Sequence, residues 1–293
     1  MKIGSHVQNA GDKMLLGAVE EALSYQANSL MVYLGAPQNT YRKNIDSFNV
    51  NRAIKLLLDN NLSSQDIVVH APYIVNLATD DTKKRQFAID FLSEEIKLCK
   101  AIGSNNFVVH PGSHLNQSLE LGLDNISTAI KEILNKTINE DVYILLETMS
   151  GKGTECGFRF EQLAYIINKV GSKRVKVCLD TCHIFDAGYD IVNHYDEVIE
   201  EFIKIIGLDN LKVIHLNDSK NSLGAKKDRH ENIGFGNIGF ATLLKVCYDE
   251  RFIKIPKILE TPYIKKNDKE YPPYRYEIEM LKKKTFEPNV FDN

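Results

Sequence analysis

Eight short runs rich in Val, Ile and Leu alternate with amphipathic segments along the whole chain, and this alternation constrains the fold more than any other feature. The runs are Lys2–Val7, Ser29–Gly35, Ile67–Tyr73, Asn106–Gly112, Val142–Thr148, Val175–Asp180, Leu211–Asn217 and Lys257–Thr261. They show little polar alternation, as strands buried on both faces do. Between them, residues 81–102 carry Phe87, Phe91, Ile96 and Leu98 among charges, and Gly103 follows as a helix stop. Gly171 and Gly207 similarly close segments 161–170 and 193–206. Segment 274–284 follows Pro272-Pro273 and ends in lysines, which suits a helix dipole. Eight such units predict an α/β fold, a (β/α)8 TIM barrel. No linker or composition break divides the chain, so one domain is expected over residues 1–293, with a short tail from about residue 286. An open doubly wound sheet would call for a Gly-rich dinucleotide turn after the first strand, and Gly4-Ser5-His6-Val7-Gln8-Asn9 is not one.

In a barrel of this kind, reactive groups gather at the carboxyl ends of the strands. The third strand ends in His70, the fourth in His110 and the fifth in Glu147. The sixth ends in Asp180 with His183 close behind, the seventh in His215 and the eighth in Glu260. Asp228 and His230 lie in the long polar loop after strand seven. Each strand-end residue follows an apolar run, so its backbone is buried and its side chain can face the mouth. One such histidine alone reads as a hydrogen-bonded core residue. Four carboxylates converging with no cation would repel each other and suffer desolvation, and divalent ions remove that objection. Imidazole plus carboxylate suits Zn²⁺, with Mn²⁺ or Fe²⁺ also possible. Nine ligands are too many for one tetrahedral ion and match three ions with one shared carboxylate. Cys178 and Cys182 flank Asp180 and read as small buried hydrophobes. Of the other histidines, His6 falls either behind the ligands or in a core hydrogen bond, His114 belongs to loop structure, and His194 starts a helix in solvent.

The segments His70-Ala71-Pro72-Tyr73, His110-Pro111-Gly112, Leu146-Glu147-Thr148, residues 179–190 beginning Leu179-Asp180-Thr181-Cys182-His183, His215-Leu216-Asn217-Asp218, residues 227–234 beginning Lys227-Asp228-Arg229-His230, and Leu259-Glu260-Thr261-Pro262 resemble those of endonuclease IV. This is the zinc-dependent apurinic/apyrimidinic endonuclease family of DNA base-excision repair. The resemblance covers about residues 1–285, in the same order. It implies a TIM barrel with three zinc ions at its mouth. His70, His110 and Glu147 would hold the first ion. Glu147, Asp180, His215 and Glu260 would hold the second, with Glu147 as the bridge, and His183, Asp228 and His230 the third. It implies cleavage of the phosphodiester 5′ to an abasic site in duplex DNA, leaving a 3′-hydroxyl and a 5′-deoxyribose phosphate, and removal of 3′-blocking groups. The expected nucleophile is water activated by the first two ions, with Glu147 bridging them and Glu260 orienting the attack.

The loop after strand two departs from the family, with a neutral Gln38 near where an Arg can stand. Gln38, Asn39 and Tyr73 are the candidates for prying at the lesion. Lys152, Lys220 and Arg229, with neighbouring Lys226, Lys227, Lys265 and Lys266, are candidate backbone contacts on the same rim. Formal charge is only −3, so no bulk cationic field draws DNA. Three divalent ions would move that figure to about +3, centred on the mouth. Five scattered cysteines without a CxxC pair fit a reducing cytoplasm, and neither a signal peptide nor a membrane span is expected. A monomer is expected. The competing reading is a sugar isomerase or epimerase, for which Glu147, Asp180, His215 and Glu260 would suffice. A non-catalytic DNA-binding protein would have no use for four carboxylates aimed at its own anionic ligand.

Overall fold

The computed structural model describes residues 1–292. All eight apolar runs form strands: Ile3–His6, Ser29–Val32, Ile67–His70, Asn106–Val109, Tyr143–Glu147, Val175–Asp180, Leu211–His215 and Lys257–Leu259. Each pairs in parallel with its sequence neighbours, and strand eight pairs with strand one to close the barrel. Most are shorter than the sequence predicts at the carboxyl end. Ala71-Pro72 follows His70 and His110-Pro111 follows Val109, and proline has no N–H to extend a ladder.

The outer layer is formed by helices Leu15–Ser24, Val50–Asp59, Thr82–Ala101, Leu119–Lys136, Phe160–Val170, Tyr195–Ile205, Phe240–Tyr248 and Tyr274–Lys283. Asp81 caps the third of these by accepting from the amides of Lys83 and Lys84. The helix predicted from residue 193 begins only at Tyr195, because Asp190 draws the amides of Val192 and Asn193 into a turn. Three features are not legible in the apolar pattern. A six-residue helix, Thr181–Asp186, follows strand six directly. Two small antiparallel ladders lie outside the barrel, Asp218–Ser219 with His230–Glu231 and Ile264–Lys266 with Lys269–Tyr271. Residues 286–292 lie back on the fold, with the Phe286 ring 5.2 Å from Phe235 and 5.5 Å from Phe240.

Inside the barrel, Met31, Val68, Val108, Leu145, Cys178, Val213 and Ile258 form one buried apolar layer. Truncating a member such as Leu145 to Ala would cost on the order of 2–5 kcal/mol. Side chains alternate across a strand, so the residue two further on faces the same interior one level higher. Those residues are Tyr33, His70, His110, Glu147, Asp180, His215 and Glu260. Strand one completes the ring with His6, two residues after Gly4. A Cβ on Gly4 would stand 1.7 Å from the Ser29 carbonyl oxygen, so only glycine allows strands one and two to approach there. The apolar plug sets the floor of a polar layer at the mouth.

Candidate metal centre

Histidine tautomers at the mouth are fixed by the backbone. His70 donates from Nδ1 to the Ala71 carbonyl at 2.7 Å, and His183 from Nδ1 to the Thr148 carbonyl at 2.8 Å. His230 Nδ1 lies 3.2 Å from the Glu260 carbonyl. In each ring a proton on Nδ1 leaves Nε2 as the nitrogen that a metal can take in place of a second proton.

The ring nitrogens converge on carboxylates. Glu147 Oε2 is 3.0 Å from His70 Nε2 and 3.2 Å from His110 Nε2. Its other oxygen is 3.0 Å from His215 Nδ1 and 3.4 Å from His183 Nδ1. Glu260 reaches His215 Nδ1 at 3.0 Å and Asp180 reaches it at 3.8 Å. Asp228 Oδ1 lies 2.9 Å from His183 Nε2 and 3.7 Å from His230 Nε2. Five overlapping groups have their ligand atoms within 4.8 Å of one another, and three of them together take in all nine residues. These three are His70, His110 and Glu147; Glu147, Asp180, His215 and Glu260; and His183, Asp228 and His230. All nine residues singled out in the sequence thus meet in one place, and of these three groups Glu147 belongs to two.

Charge is heavily coupled here. Burial disfavours the ionised form of Glu147, yet the imidazoles of His215, His110 and His183 override it and hold the carboxyl well below the usual range. Burial likewise opposes ionisation of Glu260, and His215 again brings it down. Desolvation works against charged rings at His110, His183 and His215, but neighbouring carboxylates raise the first two, and Cys178 with Glu260 and Glu147 raises His215. Protons on imidazole are therefore the counter-charge in the metal-free protein.

The residues fit divalent ions. Ligand atoms about 2.0–2.2 Å from a tetrahedral Zn²⁺ would stand roughly 3.3 Å apart, close to the separations between the groups' atoms. His230 Nε2 is buried with no hydrogen-bond partner among the described residues, and it points between Asp180 and Asp228, 3.7 Å from each. An unpartnered ring nitrogen between two carboxylates calls for a cation.

Sequence reasoning missed the residues that hold the ligands. Asn217 is fully buried, donates to Asp180 Oδ2 at 2.7 Å and accepts from the Glu260 amide at 2.8 Å. Thr148 Oγ1 accepts from the Asp180 amide. Tyr33 completes the upper ring, its aromatic face 5.1 Å from His6 and 5.2 Å from His70. The period of two that leads from Met31 to Tyr33 was the available signal. His6 therefore stands beside the ligands, behind Tyr33. Cys178 belongs to the apolar floor. Cys182 is buried, though its sulfur comes within 4.8 Å of ligand atoms of Asp180 and His230, and burial pushes its thiol well up. His114 belongs to loop structure, with Nδ1 bonded to the Gln117 carbonyl, and His194 is exposed.

The rim residues do not share one cluster. Gln38 and Asn39 are exposed in the loop after strand two, where Asn39 Oδ1 accepts from the Tyr41 amide. Arg42 in that loop is tied to the buried Glu95 at 2.6 Å and is held away from solvent. Tyr73 is 54% exposed beside Ile74. Lys152 and Arg229 are exposed, and Lys220 lies 3.7 Å from Glu231.

Residues 19–284 match the family described as xylose isomerase-like TIM barrel. The chain is 50% identical over 297 residues to the probable endonuclease 4 of Bacillus subtilis, covering 100% of this chain and 98% of that protein. It is also 50% identical to the probable endonuclease 4 of Aster yellows witches'-broom phytoplasma, covering 98% of each. The crystal structure of endonuclease IV from Thermus thermophilus superposes with a TM-score of 0.83 at 26% identity, over 97% of this chain and 98% of that one. A D-tagatose 3-epimerase-like protein shares the fold, with a TM-score of 0.71 at 22% identity over 97% and 96%. With full-length identity of this order to proteins of one name, the chain belongs to the endonuclease IV family of xylose isomerase-like TIM barrels.

Proposed function

We propose that this protein hydrolyses the phosphodiester 5′ to abasic sites in duplex DNA and clears blocked 3′ ends, using three divalent ions at the barrel mouth. The observation that carries the reading is the convergence of two further ligand groups on the Glu147–Asp180–His215–Glu260 set. An epimerase of this fold would need that four-residue set alone, and His70, His110, His183, Asp228 and His230 would then be surplus. Zinc suits the donor set best, with Mn²⁺ or Fe²⁺ at some positions.

His70, His110 and Glu147 would hold one ion, Glu147, Asp180, His215 and Glu260 a second, and His183, Asp228 and His230 a third. Divalent ions bound there supply neutralisation of phosphate charge and acidification of water near neutral pH. Glu147 has both oxygens engaged, so it acts as a rigid spacer between groups. Glu260, fixed through its own amide by Asn217, sets its Oε2 3.0 Å from His215 Nδ1 and would orient the attacking water. Lys152, Lys220 and Arg229 are the residues this reading assigns to flanking phosphates, and Gln38, Asn39 and Tyr73 those it assigns to opening the duplex. All five cysteines are free and buried, in keeping with a reducing cytoplasm, and the reading takes the protein as a monomer. Incision of a duplex with one abasic site, with metal content measured on the same sample, tests the reading. Metal-replete protein that leaves such a duplex intact would move the assignment to the epimerase class.

A further inference from the structure

Asp186 is a fully buried carboxylate near the mouth that none of the three ligand groups uses. It closes the short helix Thr181–Asp186, one turn after His183. Its Oδ1 accepts from Ser219 Oγ at 2.7 Å. Its Oδ2 accepts from Asn221 Nδ2 at 2.9 Å and from the backbone amides of Lys227 at 3.3 Å and Asp228 at 2.9 Å. Its carbonyl oxygen takes the amide of Lys226 at 3.0 Å. Three consecutive backbone N–H groups of the loop thus close on a single residue.

The gripped backbone is strained. Lys226 and Asp228 have φ values of 52° and 55°, a left-handed region that residues with a Cβ rarely occupy. Successive amides in such a conformation form a concave nest that wants an anion. Here the anion belongs to the protein. The same six-residue helix therefore carries one ligand of the third group, His183, and fixes the backbone of another, Asp228, whose carboxylate sits 2.9 Å from His183 Nε2.

We propose that Asp186 is a positioning residue for the third ion: it presets Asp228 against His183 before any metal enters. This rests on the three-ion reading. The test begins by counting ions on the wild-type chain and measuring their stepwise affinities, with fold checked by circular dichroism. Asp186→Ala should weaken one binding step, that of the third ion, by about 10-fold or more while the other two stay within about threefold, the range expected when a ligand's support is removed. Asp186→Asn can keep an oxygen toward the two amides and donate to Ser219, so it should restore affinity to within about threefold of wild type. A folded Asp186→Ala chain that keeps all three affinities, or loses all three alike, overturns the proposal. Amide exchange of the metal-stripped wild type gives a second measurement that needs no variant. The Lys227 and Asp228 amides should exchange more slowly than those of exposed Ser222 and Leu223, and equal rates would overturn the proposal. A wild-type chain that takes up fewer than three ions defeats the three-ion reading itself, whereas a three-ion Asp186→Ala chain defeats only the role of Asp186.

Discussion

Glu147 and Glu260 approach the same atom, His215 Nδ1, at 3.0 Å each. A buried and a half-buried carboxylate meeting at one imidazole nitrogen are tolerable only with positive charge between them. Glu147 is the more demanding partner, because its second oxygen serves His70 and His110. Glu147→Gln keeps the shape but replaces one charged acceptor with an amide that cannot join two cations. Abasic-site incision should fall by at least about 10²-fold, with duplex binding changed far less, because the basic rim is untouched. Gel assays of incision and binding on one preparation check this. A variant that turns over at the wild-type rate would remove Glu147 from its bridging role.

Metal removal should make stability depend on pH in a defined way. His110, His183 and His215 have raised values in the folded chain, so their contribution is present below about pH 6.5 and is lost as pH rises through the raised values. Glu147, Glu260 and Asp228 are depressed, so theirs is present above about pH 4 and is lost as pH falls through the depressed values. The metal-stripped protein should therefore be most stable at mildly acidic pH, and a chelator should lower Tm more at pH 8 than at pH 6. Ion uptake at pH 6 should also release protons, because bound cations take the place of imidazolium. Calorimetry in two buffers of different ionisation enthalpy measures that release. Proton-silent uptake would show that the rings were neutral beforehand.

Glu277 offers a separate pH test away from the ligands. It is fully buried in the last helix, accepts from Asn232 Nδ2 and the Ile233 amide at 3.0 Å each, and pairs with Thr261 Oγ1 at 2.5 Å. Burial pushes its carboxyl up to about 7, even though Thr261, Ile233 and Asn232 pull the other way. A raised carboxyl favours the folded state below about pH 4.3, and that contribution drains away as pH climbs to 7. The loss is on the order of 2–4 kcal/mol. Glu277→Gln keeps an acceptor toward Asn232 and Ile233 without the buried charge. It should be at least as stable as wild type at pH 8, and its stability should be flatter between pH 5 and 8. Denaturant melts at several pH values decide it, and parallel curves for both proteins would reject it.

The barrel was legible because strands buried on both faces leave continuous apolar runs, and because those runs end at ligand-type residues. Val68 to His70, Leu145 to Glu147 and Val213 to His215 each take one step of two from the apolar floor to the polar layer. The same step from Met31 to Tyr33 carried no chemical alarm, since a tyrosine at a strand end reads as core. Asn217 and Asp186 were hidden for a different reason. Their importance lies in bonds to segments 37 to 43 residues away in sequence, and no local pattern encodes which carbonyl or amide a polar side chain will meet. Helix Thr181–Asp186 was missed because six residues are too few to display a period.

The rim makes the last prediction. Lys152, Lys227 and Arg229 are exposed on loops at the carboxyl ends of the strands, while Arg42 in the loop after strand two is tied to Glu95. Exposed cations thus stand after strands five and seven, as Lys43, Lys265 and Lys266 do after strands two and eight. Removing one cation that neutralises a phosphate should lower the slope of log affinity against log salt by about 0.9. The double variant Lys227→Ala/Arg229→Ala should therefore bind abasic duplex more weakly at low salt and lose close to two units of slope. Arg42→Ala should leave the slope unchanged and instead reduce stability, because it strands a buried carboxylate. Fluorescence anisotropy titrations across a salt series measure the slopes. If the double variant keeps the wild-type slope, the phosphates are held elsewhere on the surface. If Arg42→Ala lowers the slope, the loop after strand two opens on binding and frees that guanidinium for DNA.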